Sequence, residues 1–297
     1  MIAYVVDIIL IAGGIQTAFE HCQRLRDKGY DAFMVANGGN LGEFDVPVYP
    51  MSKLEEFTDE DIIVSVWYPQ VQMLEKYKGR KIQFSQDCLE DIPLIGKQVI
   101  EDCRIARRNP NWEIMAVSDY AGKWTGRDYT VIPNGINERF FIKHKVKKDI
   151  DFLIEGDASE NKRTAEAISV AKRIGGRIGW MCREIERVEG VESFTNPPRE
   201  EIPKIYQRSR FLIKLSVSEG FCLPILEAMA SGCIAVTHDM GGNDFCKYGQ
   251  NCVHIDNLTD MKNMDLIREN AYKTAQNYKW DESINKLSKY YDRKQCG

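Results

Sequence analysis

Residues 218–232 read SEGFCLPILEAMASG, and residues 210–218, just before them, read RFLIKLSVS. An apolar run of strand length gives way to a short turn, EGFC, and then to LPILEAMASG, a helix with Pro224 in its first turn and Gly232 at its end. Glu219 therefore stands on the loop after a strand, and Glu227 about one turn into the following helix. In open α/β sheets ligands bind beyond the carboxyl ends of the strands, which is where both carboxylates fall.

The same alternation fills most of the chain and predicts parallel sheets covered by helices. Strands are expected at residues 2–11, 31–36, 61–67, 81–86 and 113–117, then at 151–155, 177–181, 210–216, 233–237 and 252–255. The first unit runs into Gly13 and Gly14, after which Ile15, Ala18, Phe19, Cys22 and Leu25 share one helical face and Gly29 ends the helix. A glycine pair at such a turn lets a ligand approach the backbone at a positive helix end, although many turns need glycine only in order to turn. Near VIPNGINERFF a strand ends in Pro133, Asn134 and Gly135, and a polar, basic segment from Lys143 to Asp149 leads into a new apolar run. Two α/β domains are expected, residues 1–145 and 146–297.

A length of 297 residues agrees with two domains of roughly 100 to 200 residues each. With 43% hydrophobic and 28% charged residues the chain can build packed cores. Its net charge of −4 argues against a strongly basic nucleic-acid binder and leaves a small-molecule ligand as the expectation. Nine cysteines are scattered without a C-x-x-C pair, as in a cytosolic protein with reduced thiols. The opening MIAYVVDIILIAGGI is interrupted by Asp7 and is shorter than the roughly 20 residues of a membrane span, so it reads as a buried first strand.

A carboxylate accepts two neighbouring hydroxyls, as a ribose diol or a sugar ring presents them. Between Glu219 and Glu227, the backbone N–H groups of Gly220, Phe221, Cys222 and Leu223 can face phosphate oxygens at the helix start. One segment can thus bind a sugar, a diphosphate and a ribose. The plainer alternative makes Glu219 a surface residue and Glu227 a favourable acid in the first turn of a helix.

The segment SVSEGFCLPILEAMASGCIAVTHDMGGNDF resembles the donor-binding core of retaining GT-B glycosyltransferases of family 4, whose pattern is a serine, then E-G-F-G-L-P-x-x-E-A-M-A-x-G, a strand and a glycine-rich loop. Cys222 replaces that pattern's second glycine. VIPNGINERFF is similar to the family segment that precedes the second domain. FLIEGDASENKRTAEAI is similar to the strand, loop and lysine that open it, with Gly156 and Lys162 in the family's places and Asp157 where an arginine is usual. Arg163, beside Lys162, is the candidate for the second cation. In the first domain Gly13 and Gly14 match a glycine pair near the donor phosphates. Gln86 and Asp87, in KIQFSQDCLED, stand where many members carry a histidine, and resemble a rhamnosyltransferase-like subgroup in which an aromatic residue follows; here Cys88 follows.

The resemblance implies a GT-B fold: two Rossmann-like domains with parallel sheets facing a central cleft, and a C-terminal helix packing back on the first domain. It implies transfer of a sugar from a nucleotide-diphosphate donor to an acceptor hydroxyl with retention of configuration. Lys162 and Arg163 would stabilise the leaving diphosphate, Glu219 would orient the sugar and Glu227 would hold the ribose. Asp87 would orient an acceptor hydroxyl or take its proton, or else cap a helix. No cofactor or metal is required; the D-x-D pairs Asp149/Asp151 and Asp59/Asp61 are read as chance. A glycan or lipid-linked glycan is the expected acceptor, with a protein or a modified nucleic-acid base as alternatives, in the cytoplasm or at the membrane periphery. The basic stretch CRIARRNPNW at 103–112 reads as a solvated helix end. The rival readings are a sugar-nucleotide-binding protein without catalysis and an oxidoreductase, the latter disfavoured by the lack of G-x-G-x-x-G.

Overall fold

The computed structural model describes residues 1–10, 12–92, 95–142, 146–184, 187–258 and 263–293. It divides into two compact units. One comprises Met1–Glu90, Leu94–Asn134 and Ser283–Gly297, the other Asp91–Pro93 and Gly135–Glu282. The boundary expected after residue 145 adjoins residues 143–145, which lie outside the described residues.

In the first unit, strands β1 (Ile2–Val5), β2 (Ala32–Val35), β3 (Val48–Tyr49), β4 (Ile62–Ser65), β5 (Arg80–Ser85), β6 (Glu113–Ala116) and β7 (Thr130–Val131) form one sheet in the order β3-β2-β1-β4-β5-β6-β7. Every pairing in it is parallel. Helices α1 (Gly13–Asp27), α2 (Gln70–Leu74), α3 (Lys97–Arg107) and α4 (Asp119–Lys123) supply connections. Ala18, Phe19, Cys22 and Leu25 of α1 are fully buried, as their spacing predicts, and Gly29 follows the helix at φ +90°. The strand expected over 2–11 ends at Val5: Asn37 donates backbone and side-chain hydrogen bonds to Asp7 and turns the apolar run into a loop, and Ile11 lies outside the described residues.

The second unit adds β8 (Ile150–Glu155), α5 (Thr164–Ile174), β9 (Ile178–Cys182), β10 (Val191–Thr195), α6 (Ile202–Arg208), β11 (Ser209–Ile213), α7 (Leu223–Ala230), β12 (Ile234–Thr237), β13 (Val253–His254) and α8 (Met264–Gln276). Its parallel sheet runs β10-β9-β8-β11-β12-β13. Both faces of β8 are buried: Ile150 and Leu153 join one apolar cluster, Phe152 and Ile154 the other. That explains why the strand reads as a continuous apolar run. Each such side chain stabilises the unit by about 1.5–3 kcal/mol relative to exposure. The chain order of strands reverses between β8 and β11, the position at which open α/β sheets bind their ligands.

The last helix, α9 (Trp280–Tyr291), passes from the second unit into the first, to which its residues from Ser283 belong. This agrees with the expected return of the C-terminal helix. Arg80 holds its end. Its guanidinium pairs with both oxygens of Glu113 at 2.6 and 2.7 Å and donates to the carbonyls of Tyr290 and Tyr291, each at 3.1 Å. Those carbonyls lie in the last turn of the helix, so the cation serves its negative end.

Candidate functional site

The loop after β8 and the loop after β11 meet at the point where strand order reverses. Asn161 ties them together: its carbonyl accepts from the Val217 N–H at 2.8 Å, and its side-chain amide donates to the Ser218 carbonyl at 3.2 Å. Lys162 follows directly, and its Nζ donates to Glu219 Oε1 at 2.8 Å. Ser216 Oγ donates to the same oxygen at 2.7 Å. Burial alone would raise the Glu219 carboxyl, but the cations of Lys214 and Lys162 outweigh it and hold the group below its ordinary range. Lys162 and Glu219, singled out 57 residues apart in sequence, are thus brought into contact.

Lys214 was not anticipated. It is 2% exposed, and its Nζ lies 2.6 Å from Glu155 Oε2 and 3.4 Å from Glu219 Oε1. Burial opposes its charge, yet the carboxylates of Glu155 and Glu219 raise its pKa above that of an ordinary lysine. The signal was present in RFLIKLSVS, where a lysine interrupts an apolar run and needs a buried partner.

Glu227 lies on α7 and is half-buried. Burial and the nearby Glu155 push its carboxyl up to about 8, with Arg199 and Lys214 pulling the other way. At pH 7 it is therefore mainly protonated without ligand, and carries a donor as well as acceptors.

The turn between them differs in part from expectation. The Cys222 N–H donates to the Gly242 carbonyl and the Leu223 N–H to the Phe221 carbonyl, both at 2.8 Å, so neither is left for phosphate. Cys222 itself is fully buried among apolar side chains, at φ −79°. No glycine conformation is needed there, and the thiol points into the core, where burial raises its pKa. Gly220 and Phe221 complete the turn. Opposite them, Gly242 has φ +74°, and a Cβ on it would lie 2.0 Å from the Glu219 carbonyl oxygen. Gly242→Ala is expected to cost about 1–3 kcal/mol by overpacking as the Glu219 loop shifts. Urea unfolding checks this. His238, on the same glycine-rich loop, places Nε2 2.9 Å from the Ser216 carbonyl. A carbonyl only accepts, so that nitrogen carries the proton.

In the loop after β8, Gly156 has φ +127° and packs against the Lys162 stem. Asp157 accepts from the Ser159 N–H at 3.1 Å and shapes the turn. Arg163, at φ 50°, pairs with Glu166 of its own helix at 2.5 Å.

In the first unit, Gly14 and Gln86 come together: Gln86 Nε2 donates to the Gly14 carbonyl at 3.3 Å, and a Cβ on Gly14 would meet that amide at 3.0 Å. Around Gly13 there is open space. Asp87 caps no helix. Its Oδ1 accepts from Arg107 at 2.6 Å, and burial lifts its carboxyl above the ordinary range despite that cation. Arg107, from the stretch expected to be solvated, is 3% exposed and also pairs with Glu90 at 3.1 Å; Arg104 and Arg108 are the solvated members. Three of the four D-x-D carboxylates are engaged elsewhere, Asp149 with Arg208 and Arg177, Asp151 with Arg210, Asp61 with the N-terminal amine. Among the described residues no group of three or more metal-ligating side chains occurs, and no helix is long and apolar enough to cross a membrane.

Residues 140–264 match the family model described as glycosyl transferases group 1. The two-unit α/β architecture is the GT-B fold. HepE of Anabaena, solved in complex with UDP-glucose, superposes with a TM-score of 0.78 at 14% identity, over 97% of this chain and 98% of that one. Sucrose-phosphate synthase of Thermosynechococcus elongatus gives 0.76 at 13%, over 98% of both chains. Among curated proteins, the GtfA subunit of the UDP-N-acetylglucosamine–peptide N-acetylglucosaminyltransferase of Streptococcus parasanguinis is 24% identical over 169 residues, half of this chain. The match spans 33% of that relative's length.

Proposed function

We propose that this protein is a glycosyltransferase that moves a sugar from a nucleotide-diphosphate donor to an acceptor hydroxyl, with retention of anomeric configuration and without a metal ion. The observation that carries the reading is the Lys162–Glu219 ion pair where the loops after β8 and β11 meet, inside the matched region. When donor binds, the Lys162 ammonium turns to the diphosphate and Glu219 accepts hydrogen bonds from the sugar hydroxyls. Glu227 binds the ribose. Gly156, Gly220 and Phe221 let the diphosphate approach the backbone, and Arg163 is the second cation of that loop. The anomeric C–O bond to the diphosphate breaks, a C–O bond to the acceptor forms on the same face, and the acceptor proton passes to the departing phosphate oxygen. Stabilising that oxygen's charge is the main catalytic task. Gly13 and Gly14 are proposed donor contacts, and Gln86 and Asp87 proposed acceptor contacts, with Asp87 orienting the acceptor hydroxyl.

A UDP-sugar is the favoured donor, in keeping with the UDP-glucose complex of HepE and the UDP-N-acetylglucosamine of the GtfA subunit's name. A glycan or lipid-linked glycan is the proposed acceptor. The GtfA match favours a second reading, in which the acceptor is a protein hydroxyl. Eight free cysteines among the described residues support a place in the reducing cytoplasm. A thermal-shift screen of UDP-, GDP-, ADP- and dTDP-sugars tests the donor site. Ligand at 100 times its Kd is expected to stabilise the protein by about 2.7 kcal/mol. No shift with any of them overturns the reading, and a shift without transfer or hydrolysis over a broad acceptor panel favours a binding protein.

A further inference from the structure

Every hydrogen bond and ion pair to the Glu219 carboxylate among the described residues goes to one oxygen, Oε1. It receives Lys162 at 2.8 Å, Ser216 at 2.7 Å and Lys214 at 3.4 Å. No hydrogen bond to Oε2 is made among the described residues, and the Glu219 side chain is 17% exposed. The three donors differ in kind. Lys162 has a partly exposed side chain, at 26%, while that of Lys214 is 1% exposed and is anchored from behind by Glu155 at 2.6 Å. An anion arriving from solvent can draw away the first lysine but not the second.

We propose that Lys214 is a positioning residue: an internal counter-ion that keeps Oε1 of Glu219 gripped while Lys162 leaves to meet the ligand's phosphates, so that Oε2 stays aimed at the sugar. The inference rests on the reading of Glu219 as the ligand-facing carboxylate. It also accounts for a lysine at the end of an apolar strand, since a buried charge is costly without a task and a partner. The charged and titratable groups around the pair are Glu155 at the end of β8, Lys162 on the next loop, Glu227 and Cys222 at α7, and His238 through the Ser216 carbonyl. Among the described residues, only Lys162 and Lys214 lie in ion-pair contact with Glu219.

The sign of the pH effect follows. Two cations hold the Glu219 carboxyl below its ordinary range, so its ionised form persists as pH falls. Without Lys214 the carboxyl titrates at higher pH, and the acidic limb of activity moves up with it. Lys214→Met alone strands Glu155 and risks unfolding. The double variant Lys214→Met/Glu155→Met replaces the buried pair with apolar side chains of similar length, an exchange that stability often tolerates.

The test measures two things on the double variant and the native protein. One is the Glu219 carboxyl titration, followed by 13C NMR on glutamate-labelled protein and assigned with Glu219→Gln. The other is the pH profile of kcat and KM for donor turnover. The expected result is an upward shift of about one pH unit in both the titration and the acidic limb, with kcat reduced about 10- to 100-fold. A Glu219 titration unmoved by the substitutions overturns the inference, as does an unmoved acidic limb with native kcat. Absence of turnover in the native protein counts against the transferase reading instead, and the titration still decides the role of Lys214.

Discussion

Glu219→Ala and Lys162→Ala each lower kcat/KM for sugar transfer by about 10²–10³-fold, the usual consequence of deleting one electrostatic contact to a charge that develops in the transition state. The two losses have different origins. Without Lys162 the departing diphosphate keeps more of its charge, so kcat falls most. Without Glu219 the sugar loses its acceptor, and the 2.8 Å and 3.4 Å contacts that Lys162 and Lys214 make with it vanish together. Lys214 then depends on Glu155 alone, so Glu219→Ala also lowers stability. Urea unfolding beside the kinetics separates the two effects, with a well-folded, inactive Lys162→Ala as the clean result. Native rates in either variant remove this site from the reaction.

Arg107→Ala is expected to destabilise the first unit by about 3 kcal/mol, the lower end of the cost of stripping one partner from a buried ion pair. Two carboxylates lose their cation, but unequally. The Glu90 side chain is 5% exposed and bears most of the cost, whereas that of Asp87 is 34% exposed and can be reached by water. Arg104, 3.8 Å from Glu90, replaces part of the lost attraction. The Asp87 carboxyl, already raised by burial, titrates higher still in the folded variant once Arg107 is gone, so the folded variant binds protons more readily than the unfolded chain. Its deficit is therefore largest near pH 7 and shrinks on acidification through the carboxylate range. Urea midpoints at pH 7 and pH 4.5 check this, and an equal deficit at both would contradict it.

The central strands were legible because burial on both faces leaves a continuous apolar run, as in Phe152, Leu153 and Ile154. The edge strand β10, Val191–Thr195, was not anticipated: it is paired on one side only and its residues are partly exposed, so no such run marks it. Lys162 and Glu219 were legible through the segments around them. What escaped was mostly charge inside the fold. Lys214 and Arg107 look like surface residues one at a time, and their partners, Glu155 and the Asp87–Glu90 pair, are fixed only by tertiary packing, β8 beside β11 for Lys214 and α3 against the segment after β5 for Arg107. Cys222 shows the converse case. A glycine expected from the family pattern is replaceable here because the backbone angle is ordinary and the side chain points into the core.

The passage of α9 between units bears on the order in which the chain folds. The first unit is opened by β1 and closed by residues 283–293, with nearly all of the second unit translated in between. Arg80 and Glu113 are synthesised before the second unit, but the helix end they grip is synthesised after it. Nascent chains usually complete their domains from the N-terminus onwards. Here the first unit has all its strands before the second begins, yet the turns of α9 that complete its core follow the second unit.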